Sequence, residues 1–295
     1  MGRGKSQHSL DLIEAAHTIL EEIQPATVRA VCYRLFTLGL IESMAKNHTN
    51  RVGTQLVWAR EQGIIPWAWI VDETREAERQ SGWADPEAFI RAARRSYRRD
   101  RWQYQPSRVE VWSEKGTVRG TLAPVLEGYG VTFRVMHGYT SASMVHQIAQ
   151  ETGEGSGPLI ALYVGDWDPS GLHMSEQDLP DRLDEYGACV ELTRVALVSS
   201  DIADRRLPSF GADTKQGDTR YAWYVRRYGS RCWELDAMSP PVLRDRVAGA
   251  IQAHIDLEAW ERCGLGEQAE QASLGKVLNR WKAICVQASK YGASP

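Results

Sequence analysis

The chain has 295 residues, 43% hydrophobic and 25% charged, which supplies a sizeable core and favours two domains over one. The net charge is −3, but residues 1–108 hold 16 Lys and Arg against 13 Asp and Glu (+3), and the rest hold 19 against 25 (−6). That split is expected of a DNA-contacting part joined to a metal-binding part. No stretch reaches the ~18 apolar residues of a membrane span and the start lacks an apolar signal core, so no membrane partner and a cytoplasmic location are expected. Cys32, Cys189, Cys232, Cys263 and Cys285 are scattered without CxxC spacing, against a zinc site or a disulfide framework.

In chain order, Leu10, Leu12, Ile13, Ala16, Ile19 and Leu20 recur at helical spacing. Pro25 opens a second helix with Val28, Val31, Leu35 and Leu38 as its stripe and Gly39 as its stop. A third helix is predicted from about Asn50 to Glu61, and Ile64–Val71 is β-rich. Three short helices and a β element resemble a winged helix-turn-helix; a packing three-helix bundle is the alternative. Next, Arg91, Arg94, Arg95, Arg98 and Arg99 fall at i, i+3, i+4, i+7 and i+8, one basic face if residues 89–99 are helical. No acid interrupts that stripe, which favours phosphate contacts over a merely solvated face.

From Pro106 strands and helices alternate. Strands are predicted at Arg108–Ser113, Val131–Met136, Leu159–Gly165 and Val190–Val198, and helices at Gly116–Gly128, Ala142–Gln150 and Leu179–Tyr186. This alternation implies a mostly parallel, helix-covered α/β sheet. A polar loop at Gly211–Thr219 and helices at Pro240–His254 and Gln268–Gln287 complete the chain.

The chemistry-bearing residues stand at strand ends. Glu114 directly follows the first strand; Asp166 and Asp168 follow a later one, in Gly165-Asp166-Trp167-Asp168-Pro169-Ser170-Gly171. Open α/β sheets build sites beyond the carboxyl ends of their strands. Three acids brought there would repel one another unless a cation intervenes, and oxygen-only ligands point to Mg²⁺ or Mn²⁺ over zinc. Asp, Pro, Ser and Gly are also turn formers, so the second motif alone would read as a turn.

Together, Val109-Glu110-Val111-Trp112-Ser113-Glu114-Lys115 and Val164–Gly171 resemble a Toprim domain. Gly138-Tyr139-Thr140 resembles a segment of one Toprim branch, that of the topoisomerase VI A subunit and the related meiotic double-strand-break protein. The resemblance covers roughly residues 25–200. It implies Mg²⁺ held by Glu114, Asp166 and Asp168, and phosphodiester chemistry on double-stranded DNA. In that branch the DNA-cleaving tyrosine lies in a winged helix, four residues after an arginine. Arg29 and Tyr33 match this spacing, although Cys32 stands where the family usually has a second aromatic. Tyr33 is otherwise a core residue.

The implied layout is a winged-helix DNA-binding domain over 1–80, a basic linker helix over 81–105, a Toprim domain over 106–205 and a helical C-terminal extension over 206–295 that completes the Toprim domain. The implied mechanism is transesterification in a homodimer. Tyr33 of one subunit acts with the metal site of the other, Arg29 stabilises the phosphate, and a 5′-phosphotyrosyl bond forms. Glu114 is counted with Tyr33 and Arg29 as catalytic. Arg91, Arg94, Arg95, Arg98, Arg99 and Lys115 are the DNA contacts, with Lys115 alternatively in solvent. The chain is shorter than the usual topoisomerase subunit and has no P-loop, so strand passage would need a separate ATPase subunit. The rival readings are a hydrolytic Toprim endonuclease in phage defence or a mobile element, and a non-catalytic DNA-binding protein. His137 and His173 flank the motifs and are read as neighbours, not ligands. Asp213, Lys215, Asp218 and Arg220 form a charged loop, read as solvated, with closure over DNA as the alternative.

Overall fold

The computed structural model describes residues 5–70, 82–136, 142–153, 157–204 and 206–290. Three helices come first: α1 (Gln7–Ile23), α2 (Val28–Thr37) and α3 (Lys46–Glu61). Thr27 caps α2 by accepting the Ala30 N–H at 3.1 Å, so the helix begins at Val28, three residues after Pro25. Leu12, Ile13, Ala16, Ile19 and Leu20 bury one face of α1 against Val31, Leu35, Val52 and Leu56. Leu10 and Leu38, placed on the stripes by spacing, are exposed; α2 ends at Thr37, before Leu38.

The β-rich reading of 64–71 is not met over residues 64–70. Pro66 cannot donate to a ladder, and it precedes a 3₁₀ turn at Trp67–Trp69. Ile70 then makes a lone parallel bridge with Ala26. Val71 lies outside the described residues.

Next come α4 (Pro86–Ser96), β1 (Arg108–Ser113), α5 (Val118–Tyr129), β2 (Thr132–Val135), α6 (Ala142–Glu151) and β3 (Leu159–Val164). They are followed by α7 (Pro169–His173), α8 (Leu179–Glu185), β4 (Val190–Ala196), α9 (Ser199–Ile202), β5 (Phe210–Gly211), α10 (Tyr221–Tyr228), β6 (Arg231–Cys232), α11 (Pro240–Gln252) and α12 (Leu257–Lys290). A π-helical turn at Met174–Asp178 joins α7 to α8.

The fold is α/β, with a four-stranded, all-parallel sheet in the order β2-β1-β3-β4. It is compatible with a Rossmann-like domain. Every residue of β3 is buried, as expected for a central strand covered on both faces. Trp112, Tyr163, Leu159 and Ala161 pack with Met136, Ile148, Met174 and Leu179 into the core. Each buried Leu, Ile or Met among them contributes roughly 1.5–3 kcal/mol. Glu110, in β1, is buried but paired: Arg134 donates to it at 2.9 and 3.0 Å, and the Trp112 indole at 2.7 Å.

The chain forms two compact units: Met1–Thr74 with Ser107–His254, and Arg75–Pro106 with Ile255–Pro295. The N-terminal helices therefore share a unit with the sheet. Arg244 of α11 helps join them, donating to the carbonyls of Ile23, Gln24, Pro25 and Thr121 at 3.2–3.4 Å. In the second unit α4 packs on α12. Among the described residues no helix is long and apolar enough to cross a membrane.

Candidate metal centre

β1 leaves the sheet toward β2 on one side, while β3 lies on the other. The crossover thus falls between β1 and β3, where ligand crevices form in open parallel sheets. Ser113 and Val164 are register partners at the ends of these strands. The next residues are Glu114 on one strand and Gly165-Asp166 on the other, so the register brings the acids to one rim. Asp168 caps α7, its Oδ1 accepting the Gly171 N–H at 2.7 Å, with Pro169 at the first helical position. The turn reading and the site reading thus describe the same residues. Ser170 donates to Glu114 Oε1 at 3.4 Å, which ties the β1 acid to this turn.

The acids are compensated within the chain. Lys115 Nζ is 2.7 Å from Asp166 Oδ2 and 3.9 Å from Asp236 Oδ2. Lys215 Nζ is 3.2 Å from Asp168 Oδ2. Asp166 Oδ1 accepts the Leu235 N–H at 2.9 Å. The Glu114 carboxyl is pushed above the usual glutamate range by burial, then by Asp168 and Asp166. Burial opposes the charge on Lys115, but Asp166 and Asp236 outweigh it and raise its pKa. Neither reading of Lys115 from the sequence, phosphate contact or solvent, describes this ion pair. Lys215 likewise leaves the expected solvated loop for Asp168, while Asp218 and Arg220 pair with each other at 3.0 Å.

Among the described residues no group of three or more His, Cys, Asp or Glu is arranged to hold a metal ion. One oxygen of each aspartate is committed to a backbone N–H and the other faces an ammonium. The donor set still suits a hard divalent cation, being oxygen-only and mutually repulsive around Glu114. Two lysines already supply positive charge to it.

The rim is also wired to α2. Trp167 and Trp233 form an antiparallel bridge that brings residues 233–236 alongside the acidic turn. Thr27 donates to Asp236 at 2.8 Å, and Arg29 makes a two-pronged ion pair with Glu234. The Arg29 guanidinium lies 5.8 Å from the Tyr33 ring centre. Tyr33 is 5% exposed, and its phenol is held above the ordinary range by burial and by Glu234.

Arg194 of β4 had drawn no attention as sequence. It donates to the carbonyls of Gly165 (3.0 Å), Asp166, Gly171 (3.1 Å) and Leu197 (2.7 Å) and to the Ser175 hydroxyl (2.6 Å). This half-buried fork fixes the loop carrying Asp166 and Asp168. In β4 it alternates with exposed Glu191 and Thr193, so a charged residue there carried no distinctive signal. Asp236 and Glu234, in a Trp-Glu-Leu-Asp stretch far along the chain, carried no local signal.

The predicted basic face changes. Asp85 and Pro86 start α4 earlier than expected, and Tyr97 leaves the helix, so Arg98 and Arg99 fall outside it. Arg98 turns back to the Arg95 and Tyr97 carbonyls at 3.2 and 2.8 Å. Acids do meet the stripe: Glu87 pairs with Arg91 at 2.5 Å and Glu270 with Arg99 at 3.5 Å. The Arg94 guanidinium lies against Gly275 of α12. His173 packs on Trp223, with ring centres 5.2 Å apart. His137 and the Gly138-Tyr139-Thr140 segment lie outside the described residues.

No protein family, curated protein or solved structure matches the chain.

Proposed function

We propose that the protein cuts double-stranded DNA with magnesium at the rim formed by Glu114, Asp166 and Asp168, as a Toprim-type enzyme. The supporting observation is the position of these carboxylates at the ends of the two strands flanking the crossover, with ammonium groups already facing two of them. Mg²⁺, or Mn²⁺ in its place, would supply positive charge to a phosphate oxygen there. Arg29, Lys115 and Lys215 are the side chains that can turn from their carboxylate partners to the same phosphate. The three N-terminal helices act as a winged-helix-like DNA-positioning module, aided by Arg91, Arg94, Arg95, Arg98 and Arg99.

Tyr33 is the nucleophile in the leading version. Its oxygen bonds to phosphorus, the deoxyribose 3′ oxygen leaves, and the phenolic proton passes through solvent to that oxygen, leaving a 5′-phosphotyrosyl bond. The burial of Tyr33 and the engagement of Arg29 by Glu234 favour a second version, hydrolysis by water at the same rim.

The test is supercoiled plasmid with MgCl₂, stopped with detergent and protease. Protein-linked ends that vanish in Tyr33→Phe support transesterification; free ends that persist in Tyr33→Phe support hydrolysis. Untouched plasmid rejects both and leaves a DNA-binding protein. In the homodimer version, mixing Tyr33→Phe with Asp166→Ala restores cleavage only if one subunit's tyrosine serves the other's acids. Strand passage would further require a separate ATPase subunit.

A further inference from the structure

Beside the acid rim opens a cleft of about 550 Å³, lined by Arg29, Tyr33, Phe36, Phe210, Lys215 and Glu234 among others. Sites for small ligands span roughly 300–1,000 Å³. Phe36 comes from α2 and Phe210 from the β5–β6 ribbon; both are only half-buried. Met44 and Pro208 extend this apolar wall. An inorganic anion would use the cations and leave the rings bare, and an aliphatic ligand would do the reverse. A planar base carrying a phosphate uses both. Lys215 lines the cleft and also pairs with Asp168, so an anion held by Lys215 lies next to the acids.

We propose that this cleft takes one unstacked nucleotide of a DNA strand, its base against Phe36 and Phe210 and its phosphate toward Arg29 and Lys215. This rests on the DNA-cleaving reading and adds a substrate class to it: DNA with an unpaired or extruded nucleotide at the cut. A base inside a paired stack cannot reach such a pocket without leaving the stack.

The experiment measures binding of the full chain, in EDTA, to three fluorescent duplexes: fully paired, with a one-nucleotide bulge, and with the same bulge lacking its base. The bulged duplex is expected to bind about tenfold tighter than the other two, the scale of one base–aromatic stack. Phe210→Ala should remove that preference and Phe210→Trp should keep it. Should Phe210→Ala fail to fold, Thr214→Trp, which fills the cleft from an exposed position, should remove the preference instead. Equal binding of the three duplexes by the wild type overturns the proposal, as does a preference that survives Phe210→Ala or Thr214→Trp. Plasmid cleavage is read separately. A protein that cuts without discriminating keeps the cleavage reading and loses the cleft; one that discriminates without cutting does the opposite.

Discussion

Replacing Asp166 by alanine removes the acceptor of a backbone N–H and the partner of an ammonium ion together. Asp166 is 7% exposed, with Leu235 N at 2.9 Å and Lys115 Nζ at 2.7 Å. Stranding the Leu235 donor costs about 1–3 kcal/mol. The Lys115 side chain is 35% exposed and keeps Asp236 at 3.9 Å, so the lost ion pair is discounted to about 0.2–1 kcal/mol. The total is roughly 1–4 kcal/mol. At about 2–4 °C per kcal/mol for a unit of this size, Tm falls by about 2–16 °C. Asp166→Asn retains an amide oxygen for Leu235 and loses only the ion pair, so its Tm should fall by less than about 4 °C.

Glu114→Gln should move the other way, because burial and the neighbouring aspartates raise the Glu114 pKa. Below the ordinary glutamate value of ~4.3 the wild-type carboxyl is neutral in both folded and unfolded states, and the two proteins should melt alike. As pH rises from there through the raised folded value, the folded wild type retains a proton that the unfolded chain has released, so its stability declines relative to the glutamine variant. Above that value the difference is constant, with Glu114→Gln the more stable. Thermal denaturation in EDTA, followed by circular dichroism from about pH 4 to pH 8, reads all three variants. An asparagine variant as unstable as the alanine one, or a glutamine variant that melts below wild type at neutral pH, would refute the electrostatic account of the rim.

Magnesium chloride should raise the Tm of the wild type, with one-site linkage worth ~2.7 kcal/mol at a hundred times Kd, and leave Asp166→Ala unmoved in a matched titration. Arg194→Lys should destabilise the protein by at least ~3 kcal/mol in denaturant unfolding, since three donors on one nitrogen cannot reach the carbonyls that the guanidinium spans. Should the lysine variant match wild type, Arg194 does not hold the loop. Gly171→Ala places a Cβ 2.5 Å from the Asp166 carbonyl oxygen, so the backbone must shift. Its unfolding free energy should fall by at least ~1–3 kcal/mol, the range for overpacking, and magnesium stabilisation should fall with it.

The sheet was legible because its signal is local. Four apolar runs separated by helical spacing require parallel strands, and β1, β2, β3 and β4 appear within about two residues of the expected limits. Glu114, Asp166 and Asp168 were legible for the same reason: each follows a strand, and the register of β1 with β3 does the rest. The Ile64–Val71 run misled because β propensity needs a partner strand, and Pro66 withholds a donor where pairing would begin. The arginine stripe misled because the i, i+3, i+4 rule holds only while the helix lasts, and α4 ends at Ser96. Glu234 and Asp236 could not be read at all, and Lys215 only as part of a charged loop. Their partners lie 47 to more than 200 positions away, and such pairs leave no periodic trace in one sequence.

Those distant pairs constrain how the proposed chemistry could begin. At the rim, the three cations proposed to meet a phosphate are each paired with a carboxylate: Lys115 with Asp166, Lys215 with Asp168, Arg29 with Glu234. Two of those carboxylates are also the ones a divalent ion would take. With Asp166 and Asp168 holding a divalent ion, Lys215 would be released toward phosphate and Lys115 would retain only Asp236 at 3.9 Å. A phosphate that draws the lysines away would leave the aspartates uncompensated beside Glu114 and so strengthen the demand for the ion. Metal and DNA would therefore favour each other at this rim without any movement of the sheet. The Arg29–Glu234 pair stands outside that exchange because Glu234 is not among the three rim acids. On the proposed chemistry, freeing Arg29 would therefore take a step separate from metal binding.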